Sequence, residues 1–395
     1  MSFPLVFSFL NGIIYLILLM SLQVVVISAG EEQAIIEKCG LFTPRTTIPD
    51  DVQDLQISDI KFVAGLGDSI MAGLLIDATD DIDFLGIHNH LGLGKINPDS
   101  ITEYRGQSYA VGGDTNATTL PNLIKRYNPN IQGASIGEHF LAPCHMEFCP
   151  ESFYRPQIDR LNAARSSAIA ANLDQELEYL IPQMKKTPGF QTDWKLITIN
   201  IGNNDQCEVC NKQESKRDYV TTENYGKYVE AAVERIRMSV PRAIVNIVGN
   251  FKVSLAYQFL EHEEQEKYCN PFLGLIRISK VLCPCFNGPD ENRKKMDEAA
   301  EGYNRELERI YQKYKAAQYK DFAVLFQPAD INVLSFPRSA INNVDCFHPS
   351  LLLHEWFAKI LWNNLFRLQS EKPSHYEYDG DMLVHCPNES HRILI

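Results

Sequence analysis

The sequence predicts an α/β fold with three layers, α/β/α, around a mainly parallel central sheet. Short apolar runs of strand length recur along the 395-residue chain, and amphipathic stretches of helical period separate them. Turns that contain glycine follow several of the apolar runs. Strands that alternate with helices of crossover length are typical of a parallel sheet covered by helices on both faces. Such sheets bind their ligands beyond the carboxyl ends of the strands.

The first predicted strand is the mostly apolar run 61–66, and a Gly67-Asp68-Ser69 turn follows it. Gly67 lets the chain bend sharply without a Cβ penalty, so we expect the side chain of Ser69 to stand free at the strand's end. A serine hydroxyl is a weak nucleophile that needs a base, an orienting acid and oxyanion donors. Alone, such a tripeptide is more often an ordinary turn, so the candidate nucleophile depends on groups elsewhere in the chain.

The other elements are predicted in order from apolar periodicity. The predicted strands are 104–116, which runs into Gly112-Gly113-Asp114, then 194–201, 242–251 and 323–327. The predicted helices are 155–186, 222–238, 291–320 and 351–366. Two irregular stretches, 77–98 and 261–290, are predicted to be long loops, and loops of that length often serve as lids or pocket walls.

The first thirty residues carry no charge, and 3–27 is almost wholly apolar before Ser28-Ala29-Gly30. Small residues there suit a signal-peptidase site, so we expect 1–30 to be a cleaved signal peptide. An uncleaved membrane anchor is the alternative, because the run is long enough to span a bilayer. Both interpretations send the chain into the secretory pathway. Residues 31–395 show no internal repeat or low-complexity linker, which predicts one domain and a secreted protein.

Charge and cysteine content narrow the class further. A net charge of −13 without a basic patch argues against binding to nucleic acid and against electrostatic docking on anionic membranes. Ten cysteines in a secretory chain predict disulfides, with the connectivity left open. Neither Cys207-Glu-Val-Cys210 nor Cys283-Pro-Cys285 has the paired spacing of a zinc module, and no ligand set completes His88 and His90. We therefore expect no metal or other cofactor.

Two sequons predict glycosylation in that compartment. Asn116-Ala-Thr118 and Asn388-Glu-Ser390 both match the acceptor pattern, which makes Asn116 and Asn388 candidate sites. No obligate protein partner is predicted.

A second chemistry-bearing segment, Asp345-Cys-Phe-His348, precedes the last predicted helix. A carboxylate three residues from an imidazole can hydrogen-bond it and fix its tautomer, and the free ring nitrogen can then take a serine proton. The backbone N–H of Gly113, the side-chain amide of Asn204 and the N–H of Ser69 are candidate donors to an oxyanion. All of these residues fall at predicted strand ends or before a helix, so we expect them to meet at one edge of the sheet.

Four motifs of this sequence resemble the four blocks of the GDSL/SGNH hydrolases, in the same order. They are Gly67-Asp68-Ser69, Gly113, Gly202-Asn-Asn204-Asp205 and Asp345-Cys-Phe-His348. The surrounding sequence, such as Tyr104-Arg-Gly and His348-Pro-Ser, resembles the phospholipase B-like branch, and the resemblance runs from about 62 to 366. It implies Ser69 as nucleophile, His348 as general base and acid, Asp345 as its orienter, and Ser69, Gly113 and Asn204 as the oxyanion hole.

The resemblance also implies a substrate, a lipid acyl ester met at a membrane or micelle surface, and a phospholipase or lysophospholipase reaction. The residues themselves leave open a general carboxylesterase or acyltransferase, and a lipid-binding protein without catalysis. A rival nucleophile is Ser135 in Gly133-Ala-Ser-Ile-Gly137, which matches the G-x-S-x-G elbow. That elbow needs a strand before it and a helix after it, and the flanking sequence predicts neither.

Overall fold

The fold is taken from a computed structural model that describes residues 36–77, 101–144, 146, 148–260, 280, 282–342 and 344–395. The strands are β1 Ile60–Gly67, β2 Thr102–Glu103, β3 His139–Phe140, β4 Trp194–Asn200, β5 Ala243–Val248 and β6 Phe322–Gln327. The helices are α1 Ser69–Ala72, α2 Leu120–Lys125, α3 Pro156–Asp159, α4 Leu173–Lys186, α5 Asn203–Glu208, α6 Glu214–Tyr219, α7 Thr222–Ser239, α8 Ser254–Leu260, α9 Asp290–Ala317 and α10 Leu351–Asn364.

The central sheet has the order β1-β4-β5-β6, and every neighbouring pair in it is parallel. The register pairs Gly67 at the end of β1 with Asn200 at the end of β4. The turns that follow these two strands therefore start side by side. This is how Ser69 and the Gly202-Asn-Asn-Asp segment come to one edge of the sheet. β2 and β3 form a separate antiparallel pair.

Alternate residues of the strands face two different helical layers, as expected for side chains that point to opposite faces of a sheet. Ile197, Ile199, Val245 and Ile247 lie in a buried core with α4, α7 and α9. Leu196, Ile244 and Leu325 lie in a second core with α2 and α10. The strands are buried on both faces, which is why they are nearly continuous apolar runs in the sequence. The predicted three-layer α/β fold with a mainly parallel sheet is confirmed.

The free edge of β1 carries a stretch that was predicted to be helical. Backbone hydrogen bonds join Gly65 N–H to Leu161 O, Ala163 N–H to Gly65 O and Arg165 N–H to Gly67 O, at 3.0, 2.8 and 2.9 Å. Residues 161–165 thus run beside β1 toward its carboxyl end. The predicted helix 155–186 is wrong in its first half, because Arg160 and Ser167 have φ of 50° and 62°, which helical backbone excludes. α4 begins only at Leu173.

The predicted strand 104–116 is also wrong. The chain there folds into tight turns: Gly106 N–H donates to Gly137 O, and Asp114 N–H donates back to Gly106 O. A Cβ on Gly112 would lie 2.4 Å from the Gly106 carbonyl oxygen, so the close approach requires glycine. The apolar residues of this segment pack against α2 and α10 without joining the sheet.

Disulfides join Cys39–Cys386, Cys144–Cys149, Cys207–Cys283 and Cys210–Cys285, and Cys346 is disulfide-bonded as well. The predicted use of the cysteines in disulfides is confirmed for these nine. The two cysteines of the Cys207-Glu-Val-Cys210 motif bond to separate partners, which excludes a bond within the motif. No helix in the described ranges is both long and apolar enough to cross a bilayer.

Candidate active site

Ser69 opens the short helix α1 at the end of β1. The bend needs glycine at position 67, where φ is 152° and a Cβ would lie 2.2 Å from the Asn200 carbonyl oxygen. Asp68 caps the helix, since one of its carboxylate oxygens accepts the Ile70 N–H at 3.0 Å. The other oxygen accepts from the Asn203 side-chain amide at 3.0 Å, which ties the turn after β1 to the turn after β4.

A series of hydrogen bonds joins Ser69, His348 and Asp345. The Ser69 hydroxyl lies 2.6 Å from His348 Nε2, and His348 Nδ1 lies 2.5 Å from Asp345 Oδ2. An ionised carboxylate can only accept, so Nδ1 of His348 carries the proton and donates a hydrogen bond to Asp345. Nε2 is then the unprotonated ring nitrogen, which accepts from the serine hydroxyl. All three side chains are buried, and Ser69 is 5% exposed. Two segments that are 279 residues apart in sequence thus meet in one hydrogen-bonded chain.

Asp345 is held by donors that the sequence analysis did not single out. Its Oδ1 accepts from the Asn342 side-chain amide at 2.9 Å and from the N–H groups of Phe347 and His348 at 2.9 and 3.1 Å. Burial alone would raise the pKa of Asp345, but the charge of His348 and these hydrogen bonds outweigh it and hold the pKa below its ordinary value. The side-chain oxygen of Asn342 also accepts the Asp345 N–H at 3.0 Å, so Asn342 holds both the backbone and the carboxylate of Asp345.

The structure brings Asn204 into the site but leaves Gly113 out of it. Asn204 lies in the first turn of α5 and lines the same cleft as Ser69 and His348. The Gly113 N–H instead donates to the Ser135 carbonyl at 2.8 Å, and Gly113 is absent from the described residues that line the cleft. The prediction that Gly113 supplies an oxyanion donor is therefore wrong, because its N–H is committed elsewhere.

Ser167, which the sequence analysis did not single out, lines the cleft that Gly113 was expected to line. It follows the 161–165 stretch at the edge of β1, has a left-handed backbone with φ of 62°, and lines the cleft with Ser69 and Asn204. Within the described residues, no acceptor takes the Ser167 N–H. The loop is held from two sides: Asn204 donates to Ala168 O at 2.9 Å, and the Asp205 carboxylate accepts the Ala170 N–H at 3.1 Å.

The cleft above these residues has a volume of about 350 Å³. Its apolar lining includes a contact cluster of Leu74, Leu75, Ile101, Leu141 and Val344. The charged side chains Glu208 and Lys216 also line it. A space with apolar walls and a few polar groups is typical of a small-molecule site.

Buried carboxyl groups lie beneath the site. Glu176 on α4 accepts the Gly67 N–H at 2.8 Å, and burial raises its pKa well above the ordinary value. Burial also raises the pKa of Asp205 to about 8 and that of Asp68 to about 6. For Asp68, the hydrogen bonds from Ile70 and Asn203 and the charge of His348 oppose the rise. These groups hold the Ser69 turn and the Ser167 loop to the sheet and to α5.

The other candidate residues lie away from the cleft. Ser135 is fully buried and donates its hydroxyl to the Arg105 carbonyl at 2.7 Å, so the rival elbow is not a nucleophile site. Asn116 and Asn388 are exposed, and their glycosylation stays a prediction. The predicted signal peptide over 1–30, His88 and His90 with most of the 77–98 loop, and most of the 261–290 loop lie outside the described residues.

A serine, an imidazole and a carboxylate in series at the carboxyl edge of a parallel sheet are the arrangement of an α/β serine hydrolase. The profile of the GDSL-like lipase/acylhydrolase family matches residues 63–361. The chain belongs to this family.

The chain is similar to "Phospholipase B1, membrane-associated" of Homo sapiens and of Rattus norvegicus, with 30% identity over 366 residues and 29% over 367. Each alignment covers 89% of this chain but only 22% and 23% of those longer proteins. An extracellular lipase from Streptomyces rimosus overlaps 74% of this chain and 93% of its own, with 12% identity and a TM-score of 0.30. The fold assignment rests on the strand order of the parallel sheet.

Proposed function

We propose that the chain hydrolyses acyl esters of lipids through a covalent acyl-enzyme on Ser69. His348 Nε2 takes the serine proton as the hydroxyl attacks the ester carbonyl, and then returns it to the leaving alkoxide. Asp345 stabilises the imidazolium that forms in between. Water activated by the same histidine releases the fatty acid and restores the serine. The observation that carries this proposal is the hydrogen-bonded series Ser69–His348–Asp345 at 2.6 and 2.5 Å.

Three donors are proposed for the oxyanion of the tetrahedral intermediate. The Ser69 N–H lies in the first turn of α1, where no intrahelical acceptor is available. The Asn204 side-chain amide has two N–H donors, of which one donates to the Ala168 carbonyl and the other is available to the oxyanion. The Ser167 N–H replaces that of Gly113, because Ser167 lines the cleft and its N–H has no acceptor among the described residues. Donors fixed before the reaction stabilise developing charge without reorganisation.

The proposed substrate class is the phospholipid or lysophospholipid. An apolar cluster of five residues beside the Ser69–His348 pair suits an acyl chain, and the relatives that match 89% of this chain carry the name phospholipase. We further propose that the protein is secreted and acts at a membrane or micelle surface. Four disulfides among the described cysteines favour an oxidising compartment.

The test labels the protein with a fluorophosphonate probe and measures fatty-acid release from lysophosphatidylcholine. We expect Ser69→Ala to lose both, and Ser135→Ala, a matched serine of the same chain, to keep both. Labelling without release from any lipid would leave an esterase and remove the lipid assignment. Absence of labelling in folded wild-type protein would favour a lipid-binding protein.

The Ser167 donor has its own test. Ser167→Gly keeps both the N–H and the left-handed backbone, so we expect the rate to stay within about threefold of wild type. Ser167→Val is strained at positive φ, and a misplaced donor is expected to cost roughly tenfold or more in kcat. If Ser167→Gly loses as much activity as Ser167→Val while both stay folded, the side-chain hydroxyl matters and the backbone assignment fails.

A further inference from the structure

The cleft carries two charges that the proposed ester chemistry does not use. Among the described residues that line it, Lys216 is the only lysine or arginine, and Glu208 is the only carboxylate besides Asp345. Both side chains are partly exposed, so they face the space that a substrate would enter. No ion pair or side-chain hydrogen bond takes up the Lys216 ammonium group within the described part of the chain.

Glu208 lies one helical turn beyond Asn204. It is the last residue of α5, and Asn204 lies four positions earlier on the same helix. Residues four apart share one helix face, and one turn separates them by about 6 Å. A group that binds near Glu208 is therefore roughly one helical turn from the proposed oxyanion donors. In lysophosphatidylcholine the glycerol unit and the phosphate lie between the ester carbonyl and the amine, so a site for the amine has to be displaced from the oxyanion donors in this way.

The two charges are held by a rigid frame. Disulfides Cys207–Cys283 and Cys210–Cys285 fasten the residues on both sides of Glu208 to one short segment; we call this pair of bonds the double-disulfide clasp. The Asn211 side-chain amide donates to Glu208 at 2.6 Å and orients its carboxylate. α6, which carries Lys216, is tied back by Arg217, which donates to the Asn211 carbonyl at 2.7 Å.

We propose that Lys216 and Glu208 form the headgroup subsite for a zwitterionic phospholipid. The Lys216 ammonium group binds the phosphodiester, and the Glu208 carboxylate lies near the positively charged amine of the headgroup. A lone lysine would favour any anionic ester, but a neighbouring carboxylate and a net charge of −13 disfavour headgroups with an uncompensated negative charge. This inference rests on the proposed lipid-ester function.

The first test compares lysophosphatidylcholine with a monoacylglycerol that has the same acyl chain, both in the same detergent micelles. The variants are Lys216→Gln and, as matched control, Lys212→Gln, an exposed lysine on the same segment outside the cleft lining. We expect Lys216→Gln to lower kcat/KM for lysophosphatidylcholine about tenfold, the effect of one lost charge-assisted contact, mainly through KM. Monoacylglycerol hydrolysis should stay unchanged, as should both rates of Lys212→Gln.

The second test measures whether Glu208 determines the headgroup preference. Glu208→Gln is expected to raise the rate on lysophosphatidylglycerol relative to lysophosphatidylcholine by about fivefold or more, because the carboxylate that repels a net negative headgroup is gone. Circular dichroism and hydrolysis of a soluble p-nitrophenyl ester confirm that each variant is folded and keeps its chemistry.

The outcomes separate the two proposals. If Lys216→Gln lowers both lipid rates equally, or neither rate, the headgroup subsite is wrong while lipid hydrolysis stands. If Glu208→Gln leaves the headgroup preference unchanged, the carboxylate has no part in the subsite, and the proposed selectivity for zwitterionic headgroups is wrong. If the wild type cleaves neither lipid but hydrolyses the soluble ester, the lipid-ester function itself fails and takes the subsite with it.

Discussion

Asp345 is a buried carboxyl group that remains ionised because donors surround both of its oxygens. Asn342 and two backbone N–H groups converge on Oδ1, and His348 Nδ1–H donates to Oδ2. Hydrogen bonds to the charged form offset the cost of taking a carboxylate out of water. Asn342 also donates its side-chain amide and its backbone N–H to the His348 carbonyl, at 2.9 and 3.1 Å. It is not among the described residues that line the cleft, so it acts through Asp345 and His348 as a positioning residue.

Asn342→Ala is expected to lower kcat about tenfold with KM little changed, because general base catalysis depends on the orientation of the imidazole. The pKa of Asp345 lies below its ordinary value, and removal of one donor raises it. The stability that Asn342 contributes should therefore be largest near neutral pH and should shrink as the pH falls and Asp345 becomes protonated in both proteins. Thermal unfolding at about pH 7 and about pH 3 measures this difference. Asn332→Ala is the control, since Asn332 also caps a backbone turn but is not among the residues that line the cleft. A Tm loss that is the same at both pH values would mean that Asn342 does not act through the Asp345 carboxylate.

Sequence motifs predicted the residues whose chemistry is in the side chain. Ser69, Asn204, Asp345 and His348 each had a reason to be that residue type, and the structure brings all four together. Ser167 was missed because its proposed contribution is a backbone N–H, for which any residue type serves. Its positive φ left no mark in the sequence, since serine is an ordinary residue in a helical prediction.

At the scale of the elements, α5 is coupled to the loop before α4 by a buried acid. Both carboxylate oxygens of Asp205 lie within reach of the Ala170 N–H, at 3.1 and 3.2 Å. Burial raises the pKa of Asp205 to about 8, far above its value in an unfolded chain. The folded state therefore holds a proton that the unfolded state releases between about pH 4 and pH 8. Asp205 consequently makes the protein less stable as the pH rises through that window.

Asp205→Asn removes the titration and keeps an oxygen that can accept from Ala170. We expect the Tm of the variant, relative to wild type, to be higher at pH 8 than at pH 5, by about 2 °C or more. Thermal unfolding at the two pH values measures this difference, with Asp381→Asn at an exposed acid as the control. A Tm difference that is the same at both pH values would show that Asp205 does not change its protonation on unfolding.

The elements were predicted well where one periodicity dominated. β1, β4, β6 and α7 lie within about two residues of their predicted bounds, because continuous apolar runs and long amphipathic stripes have few alternative structures. The helix prediction for residues 155–172 is wrong because their apolar spacing is compatible with a helix, but the chain instead pairs with β1, which is distant in sequence. Propensity and spacing within a segment carry no information about such a partner.

At the scale of the whole molecule, the net negative charge makes electrostatic attraction to an anionic membrane unfavourable. Because a net charge of −13 is repelled by anionic lipid, the lipid surface proposed above is expected to be neutral or zwitterionic. Exposed apolar residues belong to the segments that line the cleft: Leu282 lines it, Phe140 precedes the lining residue Leu141, and Phe148 lies in the loop closed by Cys144–Cys149. Apolar side chains at the mouth of a cleft can enter the boundary of a lipid layer and hold the cleft against it.

Phe148→Ser is expected to lower fatty-acid release from phosphatidylcholine vesicles several-fold while leaving hydrolysis of a soluble p-nitrophenyl ester unchanged. The side chain is 69% exposed, so its removal costs the fold little, but transfer of a phenyl ring into lipid contributes about 2 kcal/mol to binding. Leu383→Ser is the matched control, since Leu383 is 68% exposed and lies outside the cleft lining. Vesicle sedimentation measures binding directly, and raised salt should leave the wild-type bound fraction nearly unchanged, because apolar contacts are not screened. Equal losses in the two variants, or binding that salt abolishes, would mean that the protein meets lipid through another surface.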